Sequence, residues 1–179
     1  FDGARIDGLG PVEICRAGLA RTFQIVEVFP TLTVAETLTA AALFRVKMAE
    51  AKKVAAEVAH LVGLGAKQHV LCRHLTLPDQ KALEVGKAIA TRPRMILLDE
   101  VMAGLRPSEV TTVMALIRSL RDKGITFLLV EHLMEVVMTI SDRVVVLGSG
   151  RKIAEGRPEE VAANQQVIDI YLGEDLTRA

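Results

Sequence analysis

Tryptophan is absent from these 179 residues, and aromatic side chains make up only 3% of them. Platforms that stack successive bases of a single strand need such rings, so the composition argues against that mode of nucleic-acid binding. Formal net charge is zero, 22 Lys and Arg against 22 Asp and Glu, and no basic tract interrupts the sequence. No whole-chain field therefore draws in a polyanion, which counts against nucleic acid or the ribosome as partner. Cysteine is scarce. Cys15 and Cys72 stand far apart and unpatterned, which reads as two reduced cytosolic thiols rather than a disulfide or metal site. His60, His69, His74 and His132 are scattered; only Cys72 and His74 are close, and they are read as structural. Half the residues are hydrophobic, yet no apolar run approaches the length of a membrane-spanning helix. No signal-peptide pattern is present. The sequence also does not begin with Met. Phe1-Asp2-Gly3 reads as the end of a strand entering an Asp-Gly turn, so a front portion of the protein is expected to lie outside these residues.

What is present is organised around residues 92–100. Met95-Ile96-Leu97-Leu98 is an unbroken apolar run without period-two alternation, which reads as a strand covered on both faces in a parallel α/β sheet. Asp99 and Glu100 close it. In open α/β sheets the ligand crevice lies at the carboxyl ends of the strands. Two acids there suit different tasks: one holds a divalent cation, and the other takes a proton from an attacking water. The plainer reading is that both cap the next helix.

Around that strand the pattern is α/β with a helical insertion. Pro11 suits the start of a short helix to Arg16, Gly18 its end, and 19–23 an extended run ending at Gln24. Thr33-x-x-Glu36 is a capping box opening a helix to about Val46. A second helix spans 48–62, closed by Gly63, and a short one lies near 67–71. From Thr76 the α/β pattern returns, with a helix to Ala90 and then the strand at 95–98. Ser108 can cap a helix over 109–121, whose buried stripe is Val110, Val113, Met114, Leu116, Ile117 and Leu120. A second buried strand over 125–130 completes a βαβ unit. Then come a helix at 133–140, a hairpin of 143–147 and 152–154 about Ser149-Gly150, and helices at 158–163 and 165–172. The sequence thus reads as a partial α/β core of 1–32 and 76–179 with a helical subdomain of 33–75.

Four polar features fall at strand or helix ends: Gln24, the Asp99-Glu100 pair, His132, and the helix start at Thr76, where free N–H groups suit an anion. Together they describe a phosphate-and-metal crevice with phosphoryl-transfer chemistry. In this order the chain resembles the nucleotide-binding subunit of ATP-binding-cassette transporters. Ala20-Arg21-Thr22-Phe23-Gln24 is similar to the Q-loop, Leu75-Thr76-Leu77-Pro78-Asp79-Gln80 stands at the signature position, 95–99 is similar to Walker B, Ala103-Gly104-Leu105-Arg106 to the D-loop, and His132 to the switch histidine. Within that family it is most similar to ATPases of branched-chain amino acid importers. Phe29-Pro30-x-Leu32-Thr33-Val34, Asp99-Glu100-Val101-Met102-Ala103-Gly104-Leu105, Ile153-Ala154-Glu155-Gly156 and Tyr171-Leu172-Gly173 carry this closer likeness.

The resemblance implies a P-loop NTPase-like parallel sheet, incomplete at its N-terminus, and ATP with Mg²⁺ as ligands. It implies catalytic roles for Glu100 and His132. Asp99 would hold the metal, and Gln24 would sense both the metal and the γ-phosphate. Thr76, Leu77, Asp79 and Gly104 would line the nucleotide held across a dimer of ATPase subunits, identical or paralogous. Transmembrane permease subunits would dock near residues 24–28 and the helical insertion, on the cytoplasmic face of the membrane. A periplasmic or surface amino-acid-binding protein would act indirectly. The sequence departs from the family in two places. No Gly-x-x-x-x-Gly-Lys-Ser/Thr loop occurs, nor the aromatic that stacks on adenine; strand, loop and helix would take roughly 30–50 residues upstream. In the signature, Leu77 and Pro78 fill the glycine positions and Asp79 the glutamine position. Proline has no N–H to offer a phosphate, and Asp79 adds a negative charge unless it turns away to cap its helix. The alternative is a truncated, non-catalytic interaction module derived from such an ATPase.

Overall fold

The computed structural model describes residues 1–24 and 26–169. They fall into two compact units, Phe1–Val130 and the stretch from Glu131 onward.

The first unit opens on a turn, with Asp2 and Gly3 both left-handed and the Ala4 N–H on the Phe1 carbonyl at 2.9 Å; no strand is assigned at Phe1. α1 (Pro11–Ala17) has Pro at its first position and ends at Gly18, whose φ of 102° favours glycine. β1 (Leu19–Arg21), β2 (Met95–Asp99) and β3 (Thr126–Val130) form an all-parallel sheet in the order β1-β2-β3. Met95 lies level with Leu19 on one side and with Thr126 on the other. β2, the central strand, is well covered: Ile96 and Leu98 are fully buried and the residues between them are half-buried.

β3 corrects the expectation of a second strand buried on both faces. Leu128 is 48% and Val130 52% exposed. Among the described residues β3 pairs only with β2, and its alternate residues Thr126, Leu128 and Val130 are exposed. An apolar run shows that a strand can be covered, not that it is.

α2 (Val34–Ala42), α3 (Met48–Leu61) and α4 (Leu77–Ala90) pack on one another through Val34, Leu38, Val54, Val58 and Leu83, all buried. Gly86 permits the close approach, since a Cβ there would sit 3.1 Å from Leu38 and 3.4 Å from Val58. Burying a side chain such as Leu38 or Leu83 contributes about 1.5–3 kcal/mol. Residues 33–75 hold α2, α3 and two 3₁₀ turns, Gly65–Lys67 and Cys72–His74, in place of the helix expected near 67–71. There the chain instead reaches back, and Thr33 and Leu71 form an isolated bridge. α2 stops at Ala42, short of Val46. Cys72 is fully buried, with its sulfur 3.4 Å from the Thr37 hydroxyl, and both cysteines are free.

α5 (Pro107–Arg121) starts earlier than expected. Pro107 takes the first helical position, where its missing N–H costs nothing, and Arg106 rather than Ser108 is the cap. Only Ile117 and Leu120 of its apolar stripe are fully buried.

In the second unit, α6 (Met134–Ile140) precedes an antiparallel hairpin of β4 (Val144–Gly148) and β5 (Arg151–Gly156) and then α7 (Pro158–Ala162). Ser149 and Gly150 are both left-handed, as a two-residue hairpin turn requires. Val144, Val161 and Val167 form the unit's core. Residues 165–169 are helical; the rest of the helix expected to residue 172, with Tyr171-Leu172-Gly173, lies outside the described residues.

Candidate functional site

β1 and β2 run parallel with Arg21 level with Leu97, so the chain leaving β1 passes beside the carboxyl end of β2. Thr22, fully buried, carries the ladder one step further. Its N–H donates to the Leu97 carbonyl at 2.9 Å, and the Asp99 N–H donates to its hydroxyl at 3.3 Å. This delivers Gln24 to Glu100, where the Gln24 Nε2 donates to Oε2 at 2.6 Å. Arg21 donates from Nη2 to Asp99 Oδ2 at 3.0 Å and lies over the Phe23 ring, 5.4 Å from its centre. With Arg21 55% exposed, that pair is worth no more than about 1 kcal/mol.

Glu100 has a left-handed backbone, φ 46°. Its N–H donates to the Val130 carbonyl at the end of β3 at 2.9 Å, and its own carbonyl accepts from Ala103 at 3.2 Å. Among the described residues no cluster of three or more His, Cys, Asp or Glu side chains exists. Two adjacent carboxylates and an amide oxygen are hard donors. They suit Mg²⁺, which takes one or two protein carboxylates and completes its shell with water and phosphate, rather than an all-protein cage.

A second group gathers at the start of α4. Thr76 is its N-cap, and the Thr76 hydroxyl donates to Asp79 Oδ2 at 2.7 Å. Lys67, from the first 3₁₀ turn, donates to both carboxylate oxygens of Asp79 at 2.7 and 2.6 Å. Partial burial pushes the Asp79 carboxyl up, but the bonds from Lys67 and Thr76 outweigh it and hold it below its ordinary value. The carboxylate is thus bonded to Lys67 and to the cap of its own helix. Thr76 and Leu77 remain exposed. A Cβ on Gly104 would lie 3.7 Å from Leu77 Cδ2, so Gly104 and the helix start are neighbours. Gly104 has φ 76°, which suits glycine.

The structure therefore brings Gln24, Asp99 and Glu100 together, and separately Thr76, Leu77, Asp79 and Gly104. His132 is exposed and belongs to the second unit, two residues past the end of β3. Sequence reasoning gave no individual role to Arg21, Thr22, Lys67 or Lys81. Nothing in the sequence marks Lys67 as a partner for Asp79. Lys81 did leave a signal, because it falls on the apolar stripe that continues through Val85 and Ala88.

The same arrangement of strands and helices occurs in ATP-binding cassettes. The crystal structure of the ADP conformation of an ATP-binding cassette of an ABC transporter superposes with a TM-score of 0.82 at 27% identity, covering 97% of this chain and 75% of that one. The fold is that of an ABC ATPase. The family described as branched-chain amino acid ATP-binding cassette transporter matches residues 151–177. The high-affinity branched-chain amino acid transport ATP-binding protein BraF of Pseudomonas aeruginosa is 38% identical over 97% of this chain and 75% of its own length. The corresponding protein LivG of Salmonella typhimurium is 37% identical over 94% of this chain and 73% of its own. The chain belongs to this family of branched-chain amino acid transport ATP-binding proteins.

Proposed function

We propose that the chain is the ATP-hydrolysing subunit of a branched-chain amino acid importer and that Glu100 is its general base. The observation that carries this reading is the 2.6 Å bond from Gln24 to Glu100, which ties the loop after β1 to the acid at the end of β2. A glutamine amide at that distance orients the carboxylate from one side and leaves its other oxygen to accept the proton of an attacking water. Asp99 would hold Mg²⁺ once the exposed Arg21 gives up its place. A Mg²⁺ held there would supply charge stabilisation at the phosphates. Gln24 would read metal and γ-phosphate together, and His132 would contact the γ-phosphate and orient the water.

Thr76 and the N–H groups behind it would face the nucleotide of a second ATPase subunit, identical or paralogous. The turned-in Asp79 supports that role by keeping its charge off the phosphate. Residues 33–75 would act as the helical subdomain against 1–32 and 76–179, and would meet the permease subunits together with residues 24–28 at the cytoplasmic membrane face. A binding protein would deliver the amino acid from the other side. Nucleotide drives motion only as far as it binds the closed pair better than the open one. The test is ATP hydrolysis by the transporter assembled with its permease subunits. Glu100→Gln should slow turnover by about 10²–10⁴-fold. Unchanged turnover would remove Glu100 from its role.

A further inference from the structure

Lys81 lies on the buried side of α4, only 8% exposed. Its Nζ donates to the Ala103 carbonyl at 2.5 Å and reaches the Glu100 carbonyl at 3.4 Å. Both acceptors belong to the tight loop that follows the carboxylate pair. In that loop Ala103 donates back to the Glu100 carbonyl and Leu105 to the Met102 carbonyl, each at 3.2 Å. Glu100 sits there at φ 46°, a left-handed backbone that strains a residue carrying a side chain. Such strain persists only where the surroundings over-determine it. Three contacts do so here: the Val130 carbonyl on the Glu100 N–H, and Ala103 and Lys81 on its carbonyl side.

We propose that Lys81 is a positioning residue for the reaction, fixing the backbone of Glu100 and so the direction of its carboxylate. The inference rests on the reading of Glu100 as general base. It also gives the helix start at Thr76 a mechanical link to the base. Lys81 stands less than two turns into α4 and holds the loop that carries both Glu100 and Gly104, whose neighbour is Leu77. A shift of that helix would pass through Nζ to the main chain of the acid. Small misplacements of a reacting group cost up to about 10²-fold in rate.

Two measurements test this. The first is hydrogen exchange on the chain itself. Lys81→Met keeps the length of the side chain and removes the donor. It should speed exchange of the Ala103 and Leu105 amides about tenfold and leave the amides of α4 unchanged. The second is hydrolysis by the assembled transporter. Lys81→Met should lower kcat by about 10–10²-fold with little change in KM for ATP, and Lys81→Arg should recover part of the loss. In a Glu100→Gln background the same substitution should cost less than about twofold, because the two residues act as a unit. Unchanged exchange and kcat would overturn the proposal. So would a loss that is undiminished in the Glu100→Gln background, which is what a general packing defect gives. If Lys81→Met does not fold, Lys81→Gln carries the same measurements. If Glu100→Gln itself hydrolyses ATP normally, the reading of Glu100 as base is what fails, and the exchange rates still decide whether Lys81 holds the loop.

Discussion

Two acidic positions of the first unit meet opposite fates. At the start of α4, Asp79 accepts from Thr76 and takes both its oxygens to Lys67, within 2.7 Å in each case. At the end of β2, among the described residues, the Asp99 carboxylate accepts from Arg21 at 3.0 Å and the Glu100 carboxylate from Gln24 at 2.6 Å. A carboxylate saturated by its own chain is a structural element. A carboxylate held from one side has a direction and a free oxygen, which a metal ion or a reacting water needs. The sequence shows three acids; the donors that reach each of them among the described residues set Asp79 apart from Asp99 and Glu100.

Substitutions can break that contrast. The largest expected effect is the loss of turnover in Glu100→Gln. Because the glutamine still accepts from Gln24, its stability should stay within about 0.5 kcal/mol of the parent, checked by denaturant unfolding. Asp79→Ala should do the reverse, lowering stability by about 1 kcal/mol through the lost cap and ion pair. A stability change near zero there would mean that the cap contributes nothing.

The acid limb of the melting curve sharpens the same point. The Asp79 carboxyl is held below its ordinary value of 3.8, so the stability it contributes is fully present above that pH and is lost as pH falls through the lower folded-state value. The gap in Tm between the parent and Asp79→Asn should therefore be constant from neutrality down to the ordinary aspartate value and close below it. Smallest is Lys67→Met, at a few tenths of a kcal/mol, because Lys67 is 45% exposed and its pair is partly screened. Its cost should shrink further in added salt.

Much of the frame was legible in advance because its signals are local. Pro11 and Gly18 bracket α1, Thr33 and Glu36 cap α2, and Gly63 closes α3 at φ 77°. Each depends on dihedral preference or a bond three residues away, which a sequence displays directly. The failures have the same character. Ser108 is a good cap by composition, but Pro107 was already committed to the helix. The segment near 67–71 has helix formers, yet Val34 and Ala35 donate to the Val70 and Gln68 carbonyls, at 3.1 and 2.9 Å, which draws the backbone out of a helix.

The sequence by itself determined most of the order of elements, the parallel βαβ unit of β2, α5 and β3, and the position of Asp99 and Glu100 at the end of β2; the strand expected over 19–23 instead ends at Arg21, three residues before Gln24. Those follow from periodicity, capping and the rule that crevices lie at the carboxyl edge of a sheet. Only the tertiary structure decided which donor meets each acid, which lysine answers Asp79, and that Lys81 reaches the loop at Glu100 and Ala103. Hydrogen bonds between residues 12, 22 and 76 positions apart depend on how helices and strands pack, and no local pattern encodes that distance.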